Sequence, residues 1–346
     1  MFSLTRQDTA VMKGIAICAM LCHHLYTCPE MIGVGVVPYT GVLAWLGVLG
    51  KVCVALFLFC SGYGLAANYK PVSIEDDLKF IGRRLLKFYL NYWVIFIIFV
   101  PITIFVFHRP LSAAYCEEYV WGHLVLDIFG LLGWQSYNIT WWFNTLIIIL
   151  YLLFPLLHRA IRWKPWLVVL VGMVVMRLNT HVPFDTLDLC IWQFPFMFGI
   201  VWKLSEEKYV KILEWLAQHR LVAIFGALCL LIAFIIIRMF PVIPHWSGVR
   251  IDGFVACAVA MCVVTILRNS KYLMATFAFL GKHSINIYMI HTFFNGYWHP
   301  EWLHAGEWLR GGGELRYSYD YMSYSKCWIG IWKRKTEMQL DNEYFY

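Results

Sequence analysis

Apolar positions along the chain fall into long uninterrupted runs separated by short polar segments. Residues 52–67, 88–107 and 221–237 are free of charge. A bilayer core takes about 20 apolar residues as a helix, with a lower limit near 17. Inside lipid only helices and closed barrels satisfy their own backbone. Barrel strands would alternate apolar and polar residues over about ten positions, and these runs do not. The pattern therefore predicts an all-α, polytopic transmembrane helix bundle with about nine spans. They cover residues 11–26, 52–67, 86–107, 142–157, 166–176, 189–202, 221–237, 251–267 and 284–297. Two further apolar stretches are interrupted: 34–49 is rich in glycine and 120–132 contains Asp127. Short broken segments of this kind read as re-entrant or interfacial pieces. No loop before residue 298 is long enough to bury a core of its own, and no internal repeat is visible. Residues 1–297 are expected to form one membrane-embedded domain, and 298–346 a polar, aromatic tail.

Composition agrees with a lipid-facing surface. Of 346 residues, 61% are hydrophobic and 14% charged, whereas a soluble globular chain carries roughly 25% charged residues. The net charge of +7 would fit nucleic-acid binding if the basic residues formed a patch. They cluster instead in the short segments between apolar runs. With the N-terminus inside, seventeen Lys and Arg residues before the tail fall on the inner side and five on the outer. That bias has the sign the positive-inside rule requires. Counting 120–132 as a full span would put Arg159, Arg162 and Lys164 outside, which the rule opposes. Nine spans leave the tail outside, together with Lys333-Arg334-Lys335, against the same rule. The tail is expected to lie on the membrane surface through its Trp and Tyr residues, to lack order, or to come from an altered reading frame that replaced a last helix.

Most of the eleven cysteines sit inside apolar runs, and no CxxC pair occurs. Small packing residues are the expected role, not a disulfide framework or a zinc site. No small-residue cleavage site follows the first apolar run, so a cleavable signal peptide is not expected.

Four segments could carry chemistry. The first span ends in His23-His24. Neutral imidazole can take a proton from a hydroxyl near physiological pH, and polar groups at membrane depth are usually functional. Interfacial histidines that merely end the span are the competing reading. The second run contains Ser61-Gly62-Tyr63, whose small residues either let helices pack closely or line a substrate tunnel. Arg83-Arg84 and Lys87 open the third span. Arg84 and Lys87, three apart, share a helix face and could hold phosphates or simply mark topology. In the last run Ser284, Tyr288 and His291 fall near one face at spacings of four and three, as substrate contacts or as interhelical hydrogen bonds.

Taken in order, these segments resemble the acyltransferase-3 family of integral-membrane O-acyltransferases. Lys13, Gly14 and His24 match a basic residue, a glycine and a histidine eleven positions after the basic one, with Lys where Arg is usual. The run from Phe57 to Tyr63 fits an aromatic-rich segment ending in Ser-Gly-aromatic. Arg83 and Arg84 match a double Arg, with Lys87 in place of a third Arg and Leu90 in place of Pro. Trp141-Trp142 with Tyr151 and Phe154-Pro155-Leu156, then Gln193 to Gly199, then Gly281 to His291 resemble the later segments. The family's usual tenth helix has no counterpart after residue 297.

The resemblance implies transfer of an acyl group, commonly acetyl, from acyl-CoA to a hydroxyl of a carbohydrate or lipid-linked cell-envelope acceptor, in a bacterial inner (plasma) membrane. It implies acyl-CoA as donor co-substrate and no metal. His24 would be the general base. Lys13, Arg83, Arg84 and Lys87 would bind the CoA phosphates, and Ser61, Gly62, Ser284, Tyr288 and His291 would line the path of the substrates. Along a helix, eleven residues separate Lys13 from His24 by roughly 16 Å, a distance a phosphopantetheine arm spans. The rival readings are a transporter or flippase of an envelope precursor and a helical scaffold without chemistry. No matched pair of broken segments favours the transporter.

Overall fold

A computed structural model describes residues 3–26, 41–70, 73–181, 189–206, 208, 210–240 and 248–297. The tail, 298–346, and the first part of 34–49 lie outside the described residues. Among those described the fold is all-helical, with no strand. The thirteen α-helices are α1 (Arg6–Tyr26), α2 (Val42–Gly50), α3 (Cys53–Asn68), α4 (Ile74–Phe105), α5 (Val120–Ile128), α6 (Trp142–Trp163), α7 (Pro165–His181), α8 (Leu189–Ser205), α9 (Val210–Gln218), α10 (Arg220–Met239), α11 (Asp252–Thr265), α12 (Lys271–Lys282) and α13 (Ser284–Thr292). Among the described residues six helical stretches are long and apolar enough to cross a membrane, and Pro165–Leu178 and Leu189–Ser205 are shorter apolar helices. The chain is thus a polytopic membrane bundle.

Exposed Leu86, Leu90, Val94 and Ile97 on α4, and Leu221, Phe225 and Ile232 on α10, would be a liability in water. In a bilayer they face lipid. At 32 residues α4 is roughly 48 Å long, well beyond an apolar core of about 30 Å. Its first turns, with Glu75, Asp76, Asp77 and Lys79, belong outside that core. Ser73 caps them by accepting from the Asp76 amide at 3.1 Å.

Two crossings hold the centre. A side chain at Gly62 would meet the Phe196 carbonyl at 2.0 Å, and one at Gly199 the Phe59 carbonyl at 2.1 Å. The backbones of α3 and α8 therefore touch through paired glycines. Gly14 on α1 and Gly281 on α12 do the same, facing the Phe277 and Ala10 carbonyls. With no gain from expelling water between helices in lipid, such close backbone packing is what drives association.

Of the stretch 34–49, expected to be re-entrant or interfacial, residues 41–49 are described. Its described part, Val42–Gly50, is helical and continues through a single turn at Lys51 into α3, giving a 27-residue apolar unit. One lysine does not break a helix, and Gly50 lets the unit lie against Ala19 and His23 of α1. The segment between Lys271 and Lys282, counted as part of an inner connection, is also helical and joins α13 at His283. The other interrupted stretch is the nine-residue α5, with Trp121 and Val125 exposed and Asp127 fully buried. Asp127 accepts from the Tyr115 hydroxyl at 2.7 Å and the Tyr137 amide at 2.6 Å, while the Tyr92 hydroxyl donates to its carbonyl at 2.6 Å. The carboxylate thus ties α5 to the loops before and after it, and the main-chain carbonyl ties it to α4.

Candidate functional site

The landmarks of the sequence lie at two ends of one internal line. At the end rich in Lys and Arg, Arg84 is half-buried with its guanidinium 5.4 Å from the Phe80 ring centroid, whereas Arg83 and Lys87 are exposed. Arg84 lies within electrostatic reach of Tyr151 on α6, and Tyr151 lies near the Ser61 side chain on α3. One turn along α3 is Phe57, whose ring packs 6.4 Å from Phe143. Phe143 in turn meets Tyr288 at 5.5 Å. Tyr288 lies 6.4 Å from His291, and His291 lies 4.8 Å from His24. The motifs of α1, α3, α6 and α13 are therefore joined by ring contacts, with Arg84 of α4 within electrostatic reach at one end.

Arg84, Tyr151, Ser61, Phe57, Phe143, Tyr288 and His24 each keep part of their surface accessible, although Tyr151 and Tyr288 lie deep among the helices. On α3 the partly accessible positions after Lys51 are Val54, Phe57, Ser61 and Gly64, and nearly all between them are buried. That is one face of a helix at a spacing of three and four. A side chain at Gly64 would meet nothing within 4 Å. One face of α3 is thus partly accessible while the opposite face, through Gly62, packs on α8. Gly62 meets the α8 backbone, and its neighbour Ser61 lies on the partly accessible face. Lys13 lies within electrostatic reach of Cys60 on α3, and Ser284 is buried where α12 meets α13.

The two adjacent histidines are held differently. His23 donates from Nδ1 to the Gly47 carbonyl at 2.9 Å, which ties the end of α1 to α2. Among the described residues His24 Nδ1 is buried with no hydrogen-bond partner. A ring nitrogen without a partner is what a proton-accepting group needs.

Sequence reading missed several residues here. Arg238, counted as an outer topology charge, is 4% exposed and donates from Nε to Asp252 at 2.6 Å. Lys51, also counted for topology, lies within electrostatic reach of His24 and of Asp252. Asn138, Thr140, Trp141 and Thr292 lace the start of α6 to α13. Trp141 Nε1 donates to the Met289 carbonyl at 3.1 Å, and the Tyr288 hydroxyl donates to the Thr140 carbonyl at 2.6 Å. Pairs so far apart in the chain leave no local signal.

The family model of the acyltransferase-3 family, described as an acyltransferase domain, matches residues 10–315. The match takes in every segment of this line of side chains and runs past residue 297 into the tail. No curated protein and no solved structure matches the chain.

Proposed function

The chain belongs to the acyltransferase-3 family of membrane acyltransferases, and from that premise we propose that it moves an acyl group, acetyl by preference, from acyl-CoA to a hydroxyl of a carbohydrate or lipid-linked envelope acceptor. The observation that carries this reading is the line of partly accessible side chains from Arg84 to the His24–His291 pair. The basic end faces the cytoplasm of a bacterial inner membrane, where acyl-CoA resides. Arg84 grips a CoA phosphate at that end of the line, and Lys13, Arg83 and Lys87 add positive potential beside it. The acyl arm runs along Tyr151, Ser61 and Phe57 toward the histidines. There the acceptor oxygen attacks the thioester carbonyl. The new C–O bond forms as the C–S bond breaks. The hydroxyl proton passes to His24 and ends on the sulfur of the departing CoA.

A donor with its charged handle at one end and its reactive carbon at the other needs a site of this length, and Lys13 to His24 supplies it. The purified protein, given acetyl-CoA and an envelope polysaccharide, is expected to release CoA thiol and label the polysaccharide in equal amounts. A transporter would move acceptor or lipid and leave it unmodified, so absence of both products sinks the enzymatic reading.

Arg84→Ala is expected to weaken acetyl-CoA binding roughly tenfold, the usual scale for a hydrogen bond to a charged group. Lys87→Ala is expected to do less, because exposed charges are screened. Both should flatten the dependence of affinity on ionic strength. Unchanged affinity and salt dependence in both variants would reduce these residues to topology signals.

A further inference from the structure

Resting on the acyltransferase reading, we propose that Asn144 holds the pantetheine arm of the acyl donor, pairing its side-chain amide with an amide of the arm. Asn144 is fully buried in α6, and among the described residues neither its Oδ1 nor its Nδ2 has a hydrogen-bond partner. A primary amide offers two lone pairs and two N–H groups. Leaving all of them empty at membrane depth is costly, because no bulk water stands ready to replace a missing partner. Buried polar groups are as a rule paired, so an amide open at both ends marks a place that a partner enters.

The polar groups around Asn144 are committed to one another. A side chain at Gly130, in the loop after α5, would meet Asn144 Cβ at 3.7 Å and the Tyr92 ring at 3.9 Å. The Tyr92 hydroxyl donates to the Asp127 carbonyl at 2.6 Å. Thr145, the next residue, donates to the Gly130 carbonyl at 2.7 Å and accepts from the Gly133 amide at 3.0 Å. One turn back along α6, the Thr140 hydroxyl and amide both donate to Asn138 Oδ1, at 2.8 Å and 3.1 Å. Asn138 is as deeply buried as Asn144, yet its nitrogen is used as well, donating to the Met289 carbonyl at 3.4 Å. These bonds close around Asn144 and leave it out.

Position and chemistry together select the partner. Thr140, Asn144 and Tyr151 follow at spacings of four and seven, so they share one face of the helix. At one end of that face Tyr151 lies near Ser61 and within electrostatic reach of Arg84. At the other end the Thr140 carbonyl accepts from the Tyr288 hydroxyl at 2.6 Å, and Tyr288 leads to His291 and His24. Asn144 stands roughly 10 Å from Tyr151 along the helix, between the basic end and the histidines. In acyl-CoA the pantetheine arm occupies the same interval, between phosphates and thioester, and it carries two amides. A side-chain amide complements such a group at both ends, donating to its carbonyl and accepting from its N–H. Phosphate oxygens would leave Oδ1 empty, and an acyl chain would leave both ends empty.

The test is calorimetric binding by the full-length protein in lipid nanodiscs. The probes are CoA and its adenosine bisphosphate handle alone, which keeps the charges and lacks the arm. Asn144→Leu keeps the branched shape and removes both polar ends, and Asn144→Ala adds no bulk. Each is expected to bind CoA roughly tenfold more weakly, because an amide of the arm is then left unpaired, and to bind the handle as the wild type does. Arg84→Ala should weaken both probes. Unchanged CoA affinity in both Asn144 variants means that the place is filled by ordered water or by nothing, which overturns the proposal and leaves the acyltransferase reading standing. An equal loss for CoA and for the handle also overturns it, because the effect is then a general one on the fold. A wild-type protein that binds no CoA overturns both.

Discussion

His24→Ala is expected to lower the rate of acyl transfer by roughly 10²–10⁴-fold, the usual contribution of a positioned general base, with binding of acetyl-CoA unchanged. The expectation rests on which nitrogen is free. Among the described residues His24 Nδ1 has no hydrogen-bond partner, so the ring can accept a proton without first breaking another bond. Its neighbour is committed elsewhere, donating to Gly47 across the α1–α2 contact. His23→Ala should therefore disturb packing at that contact and reduce kcat far less. The split between the parameters is diagnostic. A residue that acts only in the transition state lowers kcat and kcat/KM together, whereas one that merely shapes the binding site raises KM. His24→Gln, which keeps much of the volume and cannot carry a proton, should behave like the alanine variant. Full transfer activity in His24→Ala, measured as acetyl label on the polysaccharide, removes His24 from the reaction.

Membrane segments are legible in a sequence because lipid imposes a length and a polarity on every residue of a span. The runs that became α1, α3, α4, α6, α8, α10 and α11 needed no tertiary information. The spacing of Lys13 and His24 was legible for the same reason, since helical rise converts sequence distance into depth. What failed depends on partners. Arg238 reads as an ordinary outer charge until Asp252 is found beside it, across 241–247, which lie outside the described residues. Gly62 and Ser61 are adjacent, and either could have taken the partly accessible face. The matching glycine on α8, 137 positions away, turns Gly62 toward packing. Which of two neighbouring histidines keeps a free nitrogen is set by the position of the Gly47 carbonyl. The Thr140–Thr292 contact joins residues 152 positions apart, and each threonine alone looks like any other small polar residue in a helix.

Asp252→Ala is expected to cost about 3–5 kcal/mol of stability, the usual penalty for leaving one member of a buried ion pair without its partner. Asp252 is fully buried, and Arg238 is 4% exposed. The guanidinium donates to both carboxylate oxygens, at 2.6 Å and 3.5 Å, bridging the end of α10 and the start of α11. The two single variants should not be equal. Lys51 lies within reach of the same carboxylate, so Arg238→Met leaves Asp252 with a second cation nearby. Asp252→Ala leaves Arg238 and Lys51 facing each other with no anion between them. Asp252→Ala should therefore lower the melting temperature in detergent more than Arg238→Met does. The double variant Arg238→Met/Asp252→Leu replaces the pair by apolar groups of similar size, and such exchanges are often neutral or stabilising. It should melt above either single variant, and the coupling from the double-mutant cycle, closed with Asp252→Leu as the second single variant, should be favourable by more than 1 kcal/mol. A double variant as unstable as the sum of its parts would mean that the two residues contribute separately, and that the contact between α10 and α11 is held by its apolar packing alone.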